Sequence, residues 1–454
     1  MDPEELSRAL SALTALPVDD PVRLRVERVA ESFVRDGRRR RQKEQRLRRQ
    51  AADRAVLAAS ATGAAERRED APLEVPDDAH RADPDADSVG TLLRPQRCYV
   101  CKRHYTRVSA FYHQLCPSCA AENLAWRSAR TPLDGRRALV TGGRVKIGFH
   151  VALMLLRDGA AVRVATRFPH DAIRRFRQVE DSAKWLDRLT VTGLDLRDPR
   201  QVIELCDGLL AEGEPLDILI NNAAQTVRRP ESSYAPLIAA ERSAAAELSG
   251  GGGLRELAPI AGYHGAGADA VPHSAELAVA GGAVDENGLL PDPSPHNSWS
   301  AEIGELDAVE LLEVHLVNAV APALLADRLL PLMTGSPSAR RYIVNVTAVE
   351  GRFEVRNKTA GHPHTNMAKA ALNMLTRTSA EALARRGVYL SSVDTGWITD
   401  EKPMPRKARH AESGFRTPLD IVDGAARIYH PIVSGERGEP LFGVFLKDYR
   451  AVAW

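Results

Sequence analysis

Four cysteines in two pairs, Cys98-x2-Cys101 and Cys116-x2-Cys119, carry the strongest chemical signal in the chain. Two chelating pairs of thiolates satisfy the tetrahedral preference of Zn2+, and four protein ligands leave no open position for water or substrate. A lone CxxC would also read as a redox dithiol; the second pair favours metal, so structural zinc is expected here. His104 and His113 lie between the pairs and offer a nitrogen in place of one sulfur. Tyr99, Tyr105, Phe111, Tyr112 and Trp126 cluster around the module and are expected to be its small core, because a short metal module has little else to bury. The fifth cysteine, Cys206, falls in a helical pattern and is expected to be buried.

A second group of residues points to a dinucleotide. An apolar strand ending in Val140 runs into Thr141-Gly142-Gly143-Arg144-Val145-Lys146-Ile147-Gly148 and then a helix. A tight glycine turn at that place sets a pyrophosphate on a helix N-terminus. The next strand ends in Ala165-Thr166-Arg167. A carboxylate there would bind the ribose 2′-hydroxyl of NAD; a guanidinium, Arg167 with Arg144, suits the 2′-phosphate of NADP through charge-assisted hydrogen bonds.

With the motifs that follow, the sequence resembles the short-chain dehydrogenase/reductase family over about residues 134 to 450. Thr141, Gly142 and Gly148 match its TGxxxGxG loop, with Arg144, Lys146 and Ile147 inside it. Asp195-Leu196 matches the pair that contacts adenine, and Asn221-Asn222-Ala223-Ala224 resembles NNAG, placing Asn222 and Ala223 beside the cofactor. Asn318 falls on the catalytic asparagine, Asn345-Val346-Thr347-Ala348 on the N-x-S-S strand, Lys369 on the lysine of YxxxK, and Thr395-Gly396-Trp397 on the turn after the sixth strand. The resemblance implies NADP(H)-dependent hydride transfer to or from a small-molecule carbonyl, alcohol or enone.

Three positions depart from the pattern. Lys146 replaces the middle glycine, as a basic residue does in pteridine reductases. Ala348 stands where the family has its serine, leaving Thr347 on the opposite side of the strand. Thr365, four residues before Lys369, stands where the family keeps its catalytic tyrosine. A phenol titrates near pH 10, within reach of a neighbouring cation, whereas an aliphatic hydroxyl lies far above. Thr365 is therefore a poor proton donor, and His364, next to it and close to His362, is the expected substitute because imidazole titrates in the useful range. The alternative is a redox-inactive NADP-binding sensor or scaffold.

The elements that must position these groups follow from periodicity. From Arg136 onward, apolar runs of strand length alternate with helical patterns, which predicts an α/β, Rossmann-like doubly wound parallel sheet over 134–454. A Gly/Ala/Pro-rich insertion at about 230–300 interrupts it and is expected to be flexible, a lid over the substrate. Residues 96–130 form the four-cysteine zinc module and 63–95 read as an acidic disordered linker. Residues 1–62 read as a basic helical extension interrupted near Gly37; Arg38 to Arg41, Arg46, Arg48 and Arg49 suit an acidic partner, although no aromatic residues interleave with them to stack on bases. The 454 residues are 44% hydrophobic and 27% charged with a net charge of +1, so any basic function is local. No long apolar run or leader pattern stands out, and a cytoplasmic protein without membrane contact is expected. The substrate is not legible. The family resemblance also implies homo-oligomers through the helices that carry Asn318 and Lys369.

Overall fold

The computed structural model describes residues 2–75, 88–248, 257–258, 284–355 and 358–454. Its frame is a nine-stranded sheet. In chain order the strands are β3 (Arg137–Thr141), β4 (Ala161–Thr166), β5 (Leu189–Gly193), β6 (Ile218–Asn221), β7 (Leu257–Ala258), β8 (Arg341–Thr347), β9 (Val388–Asp394), β10 (Phe445–Lys447) and β11 (Arg450–Val452). They lie in the order β11-β10-β9-β8-β6-β3-β4-β5-β7, all parallel except the terminal β10/β11 hairpin. Parallel strands are covered on both faces, which is why β8 reads as a continuous run with every residue buried.

The two faces divide the apolar residues by alternation. Val140, Ile220 and Val344 pack under α4 (Lys146–Arg157) and α13 (Ile421–Glu436), whereas Leu139, Leu219 and Ile343 pack under α6 (Pro199–Glu212) and α9 (Ala321–Arg328). Because β3 has β4 on one side and β6 on the other, chain order reverses at β3. The crevice beyond the carboxyl ends of β3 and β6 is thus where an open α/β sheet receives a ligand.

The N-terminal part departs from its sequence reading in two respects. After α1 (Pro3–Thr14), α2 runs unbroken from Pro21 to Ala58, through Gly37. One glycine costs a helix about 1 kcal/mol, and the Arg, Lys, Gln and Glu on either side of it favour helix at every step. Nor is the segment after α2 a free linker. Residues 64–75 lie against the sheet domain, where Arg67 donates to the Thr417 carbonyl at 2.6 Å and Asp420 accepts from the Leu73 amide at 2.8 Å. Residues 88–97 form β1 (Ser88–Arg97), paired antiparallel with β2 (His104–Ser109). Two of the acidic residues that suggested disorder, Glu69 and Asp70, find amide and cationic partners in another part of the chain; residues 76–87 lie outside the described ones.

The cysteine module, completed by α3 (Pro117–Arg127), shares a hydrophobic cluster with the sheet domain. Phe111, Tyr112, Leu115 and Leu124 pack with Ile398, Leu419 and Ile421. Arg127 forms a bidentate pair with Asp420 and reaches Asp423, and Tyr112 donates to Asp423, so the capping box of α13 doubles as the docking point. Within the insertion, α7 (Ala235–Leu248) packs on α5 (Pro169–Arg177), β7 extends the sheet beside β5, and residues 284–300 are ordered. The rest of the expected lid lies outside the described residues. Among the described helices, Ala308–Arg328 is long and apolar enough to cross a membrane, contrary to the sequence reading, with a mean hydropathy of 1.5. It consists of α8 (Ala308–His315), one π-helical turn (Leu316–Val320) and α9, and it packs on α6 and α11 (Pro363–Ala384).

Candidate active site and zinc site

The glycine loop is shaped by backbone demands. Gly142 has φ +69°, and a Cβ there would lie 2.9 Å from the Ala223 Cα. A Cβ on Gly148 would lie 2.3 Å from the Gly142 carbonyl oxygen and 2.4 Å from the Asn222 Nδ2, so only glycine lets α4 start this close to β6. Thr141 and Asn222 hold the loop together: the Thr141 hydroxyl accepts from the amides of Asn222 and Ala223, and the Asn222 side chain donates to the carbonyls of Thr141 and Gly142. Lys146, where the sequence pattern leads one to expect glycine, adopts a left-handed conformation with φ +54°.

Along the crevice runs an open cleft of about 390 Å3, lined by Gly142, Arg144, Lys146, Ile147, Gly148, Arg167, Asp195, Leu196, Asn222 and Ala223. Every residue expected at the cofactor is on that wall except Thr141, which braces it from behind, and Lys369, which is buried against the end of β8 and does not line it. At the β4 end of the cleft, the Arg167 guanidinium lies 5.0 Å from the ring of Tyr234 and 5.6 Å from that of Phe168. Arg144 is buried, paired with Asp171 at 2.5 Å and donating to the Asn287 carbonyl. Arg197 chelates both oxygens of Asp195. Tyr234, Asn287 and Arg197 belong to this end of the site and carry no motif that would have marked them.

At the other end, Asn318 sits in the π-helical turn with no solvent exposure, its Oδ1 accepting from the Gln225 amide at 2.8 Å and its Nδ2 donating to the Gln225 carbonyl at 2.9 Å. Gln225 lines the cleft, so Asn318 fixes the main chain just beyond β6. The Lys369 Nζ donates to the Val346 carbonyl at 2.8 Å near the end of β8. Burial lowers its pKa to about 8, against a smaller opposing pull from Glu350. Thr365 is one turn before Lys369 on α11, 2% exposed, and the hydroxyls of both Thr365 and Thr347 have no hydrogen-bond partner among the described residues. His364 is elsewhere. It lines a second cavity of about 430 Å3 with His296, Ser298 and Glu310, neither ring nitrogen has a partner among the described residues, and burial lowers its pKa. His362 stacks on Trp299 at 4.0 Å.

The sulfur atoms of Cys98, Cys101, Cys116 and Cys119 all lie within 4.8 Å of one another, with 3.6 Å between Cys101 and Cys116. His113 is not among them: its ring bonds to the Thr62 hydroxyl at 2.7 Å and to Gln114 at 3.0 Å. His104 is exposed on β2. Cys206 is buried in α6.

Two family models match the chain, short chain dehydrogenase over residues 136–242 and enoyl-(acyl carrier protein) reductase over residues 294–416. The chain belongs to the short-chain dehydrogenase/reductase family. It is 34% identical over 358 residues to an uncharacterized protein of Acanthamoeba polyphaga mimivirus, covering 75% of this chain and 72% of that one. It is 38% identical over 102 residues to the short chain dehydrogenase/reductase dpchH of Colletotrichum higginsianum, spanning 22% of this chain and only a quarter of that relative. Its fold resembles a Burkholderia cenocepacia short chain dehydrogenase in complex with NADP, at 21% identity and a TM-score of 0.45, covering 70% of this chain and 97% of that one. An NADPH-bound carbonyl reductase from chicken fatty liver gives 18% identity and a TM-score of 0.43, covering 71% and 100%. This is a family of oxidoreductases. Against it the insertion shows plainly, since the two matched segments leave residues 243–293 between them. Thr365, where the sequence pattern leads one to expect a phenol, lies one turn before Lys369 on α11.

Proposed function

We propose that the chain is an NADP(H)-dependent oxidoreductase that moves a hydride to or from a small-molecule carbonyl, alcohol or enone, with its proton supplied by Lys369 in place of a tyrosine. The observation that carries this reading is one crevice with arginines at one end and a glycine cradle in the middle, its wall at Gln225 held by buried Asn318, with Lys369 buried at the end of β8. The residues fit a dinucleotide: Gly142 and Gly148 leave room that any Cβ would fill, and the first amides of α4 form a positive pole for a pyrophosphate. Arg167, with Arg144 and Arg197 nearby, suits a 2′-phosphate, and no carboxylate ends β4.

When bound, the reduced nicotinamide supplies the hydride to the substrate carbon. Asn318 holds the Gln225 main chain that forms the cleft wall. Lys369 holds a proton with an affinity close to working pH, because burial has removed most of the usual preference of an amine for its charged form. In reduction its ammonium gives a proton to the substrate oxygen, becomes a neutral amine, and is recharged from solvent. Thr365 and Thr347 present hydroxyls with unused bonding capacity beside that path. His364, the donor expected from sequence, has Glu310, His362 and His315 as its charged neighbours and not Lys369, so we assign it to the wall of the second cavity. We further propose that the four cysteines hold a structural Zn2+, supported by their spacing and four-fold cluster.

The test is a titration of purified full chain with NADPH, followed by single-turnover oxidation of NADPH across a panel of carbonyls and enones. Turnover that Lys369→Met abolishes and His364→Ala leaves within a few-fold supports the assignment. Turnover that survives Lys369→Met but is lost with His364→Ala would move the proton to the histidine.

A further inference from the structure

The acidic stretch after α2 reaches the cofactor cleft. Asp70 lies 2.8 Å from the Lys146 ammonium and accepts from the Thr399 hydroxyl at 2.9 Å. Glu69 accepts from the Asp400 amide at 2.7 Å and pairs with Lys407 in α12 (Met404–Glu412). Arg67 bonds to the carbonyls of Thr417 and Leu419, and Arg68 pairs at 2.9 Å with Glu286, next to the Asn287 that receives Arg144. Four consecutive residues thus join the glycine loop, the segment after β9 and the turn at the β4 end of the cleft. Lys146, Thr399 and Glu401 line the cleft, whereas Asp70 does not. Its carboxylate therefore stands behind the wall and leaves the ligand space open.

We propose that Asp70 is a positioning residue of the dinucleotide site, holding the Lys146 ammonium at the phosphate pole of α4 and latching the Thr399–Glu401 wall to it. The inference rests on the NADP(H) reading above. A lysine side chain has four rotatable bonds, and fixing it costs entropy that a ligand would otherwise have to meet on binding. Lys146 already occupies a left-handed backbone position, and Asp70 supplies the second constraint that aims its side chain. Burial disfavours the charge on Lys146, yet Asp70 and Glu401 outweigh it and raise its pKa, so the ammonium is maintained. The acidic segment after α2, which has no place in the family's motif set, thereby becomes part of the cofactor site.

The experiment measures NADPH affinity by nicotinamide fluorescence on the full chain and on Asp70→Ala, Asp70→Glu, Lys146→Met and the Asp70→Ala/Lys146→Met pair. Hydrogen exchange of residues 398–412 is followed without cofactor. Asp70→Ala should weaken NADPH about tenfold, Asp70→Glu should recover part of that loss, and the pair should be little worse than Lys146→Met alone. Exchange at the Asp400 amide and its neighbours should rise in Asp70→Ala. Affinity unchanged or tightened in Asp70→Ala, or losses that simply add in the pair, would overturn the proposal while leaving the cofactor reading intact. A parent chain that binds no NADPH would overturn the cofactor reading and this inference with it.

Discussion

Lys369→Met should stabilise the folded chain while removing its activity. The ammonium is 5% exposed and its pKa falls from 10.5 to about 8. At about 1.4 kcal/mol per pH unit, the fold bears roughly 3 kcal/mol to keep that charge at neutral pH. Methionine has similar length and no charge; it forfeits the 2.8 Å bond to the Val346 carbonyl, worth about 1 kcal/mol, which leaves a net gain of about 2 kcal/mol. The pH dependence fixes the sign. Below pH 8 both folded and unfolded chains carry the proton and the cost is complete. Between pH 8 and 10.5 the folded lysine is already neutral while the unfolded one is charged, so the parent gains stability relative to the variant and its disadvantage fades. Urea unfolding of both chains at pH 7 and pH 9.5 measures this. A variant less stable than the parent at pH 7, or a difference that does not change between the two pH values, would refute the assignment of Lys369 as a buried, destabilised cation. Activity provides the second readout, with a fall of at least roughly 100-fold expected from loss of a general acid.

Arg167→Ala should weaken NADPH by roughly 10- to 100-fold and NADH by much less, since a charge-assisted bond to the 2′-phosphate is worth about 1.5–3 kcal/mol; paired fluorescence titrations decide. Gly148→Ala forces a carbon to within 2.3 Å of the Gly142 carbonyl oxygen, so the loop must open; a stability loss of about 1–3 kcal/mol in urea unfolding and a matching loss of NADPH affinity are expected. Cys98→Ser should remove one equivalent of zinc by elemental analysis and lower Tm by several degrees, because metal binding and folding of the module are coupled. For α2, whose arginines 38 to 41, 46, 48 and 49 are exposed, binding to an acidic partner such as heparin should weaken steeply with salt; retention unchanged between low and high salt would remove that role.

The glycine cradle was legible because its constraint is local. Gly142 and Gly148 are fixed by backbone contacts within one strand, one turn and one helix, and such contacts leave a spaced motif. The strands were legible for the same reason, since burial on both faces leaves continuous apolar runs. Cys98, Cys101, Cys116 and Cys119 were legible as chelating pairs. Asp70 was not. Its partners Lys146 and Thr399 are far along the chain, and the composition around it is that of an unfolded segment. Tyr234 and Asn287 reach Arg167 and Arg144 from an insertion without periodicity, so only the fold brings them there. The helix through Gly37 shows the opposite failure, a local breaker outweighed by its neighbours. His364 has an imidazole's titration range and a place beside Thr365, but adjacent residues on a helix point about 100° apart, and it lines another cavity with Glu310.

The most direct test of the account is one titration of the full chain with NADPH and with NADH, followed by the reduced-nicotinamide absorbance in the presence of a carbonyl and enone panel. NADPH should bind at least roughly tenfold more tightly than NADH, and its absorbance should fall with at least one substrate in a Lys369-dependent manner. Tight NADPH binding with no oxidation by any member of the panel would contradict the claim of hydride transfer and leave a cofactor-binding protein without redox chemistry.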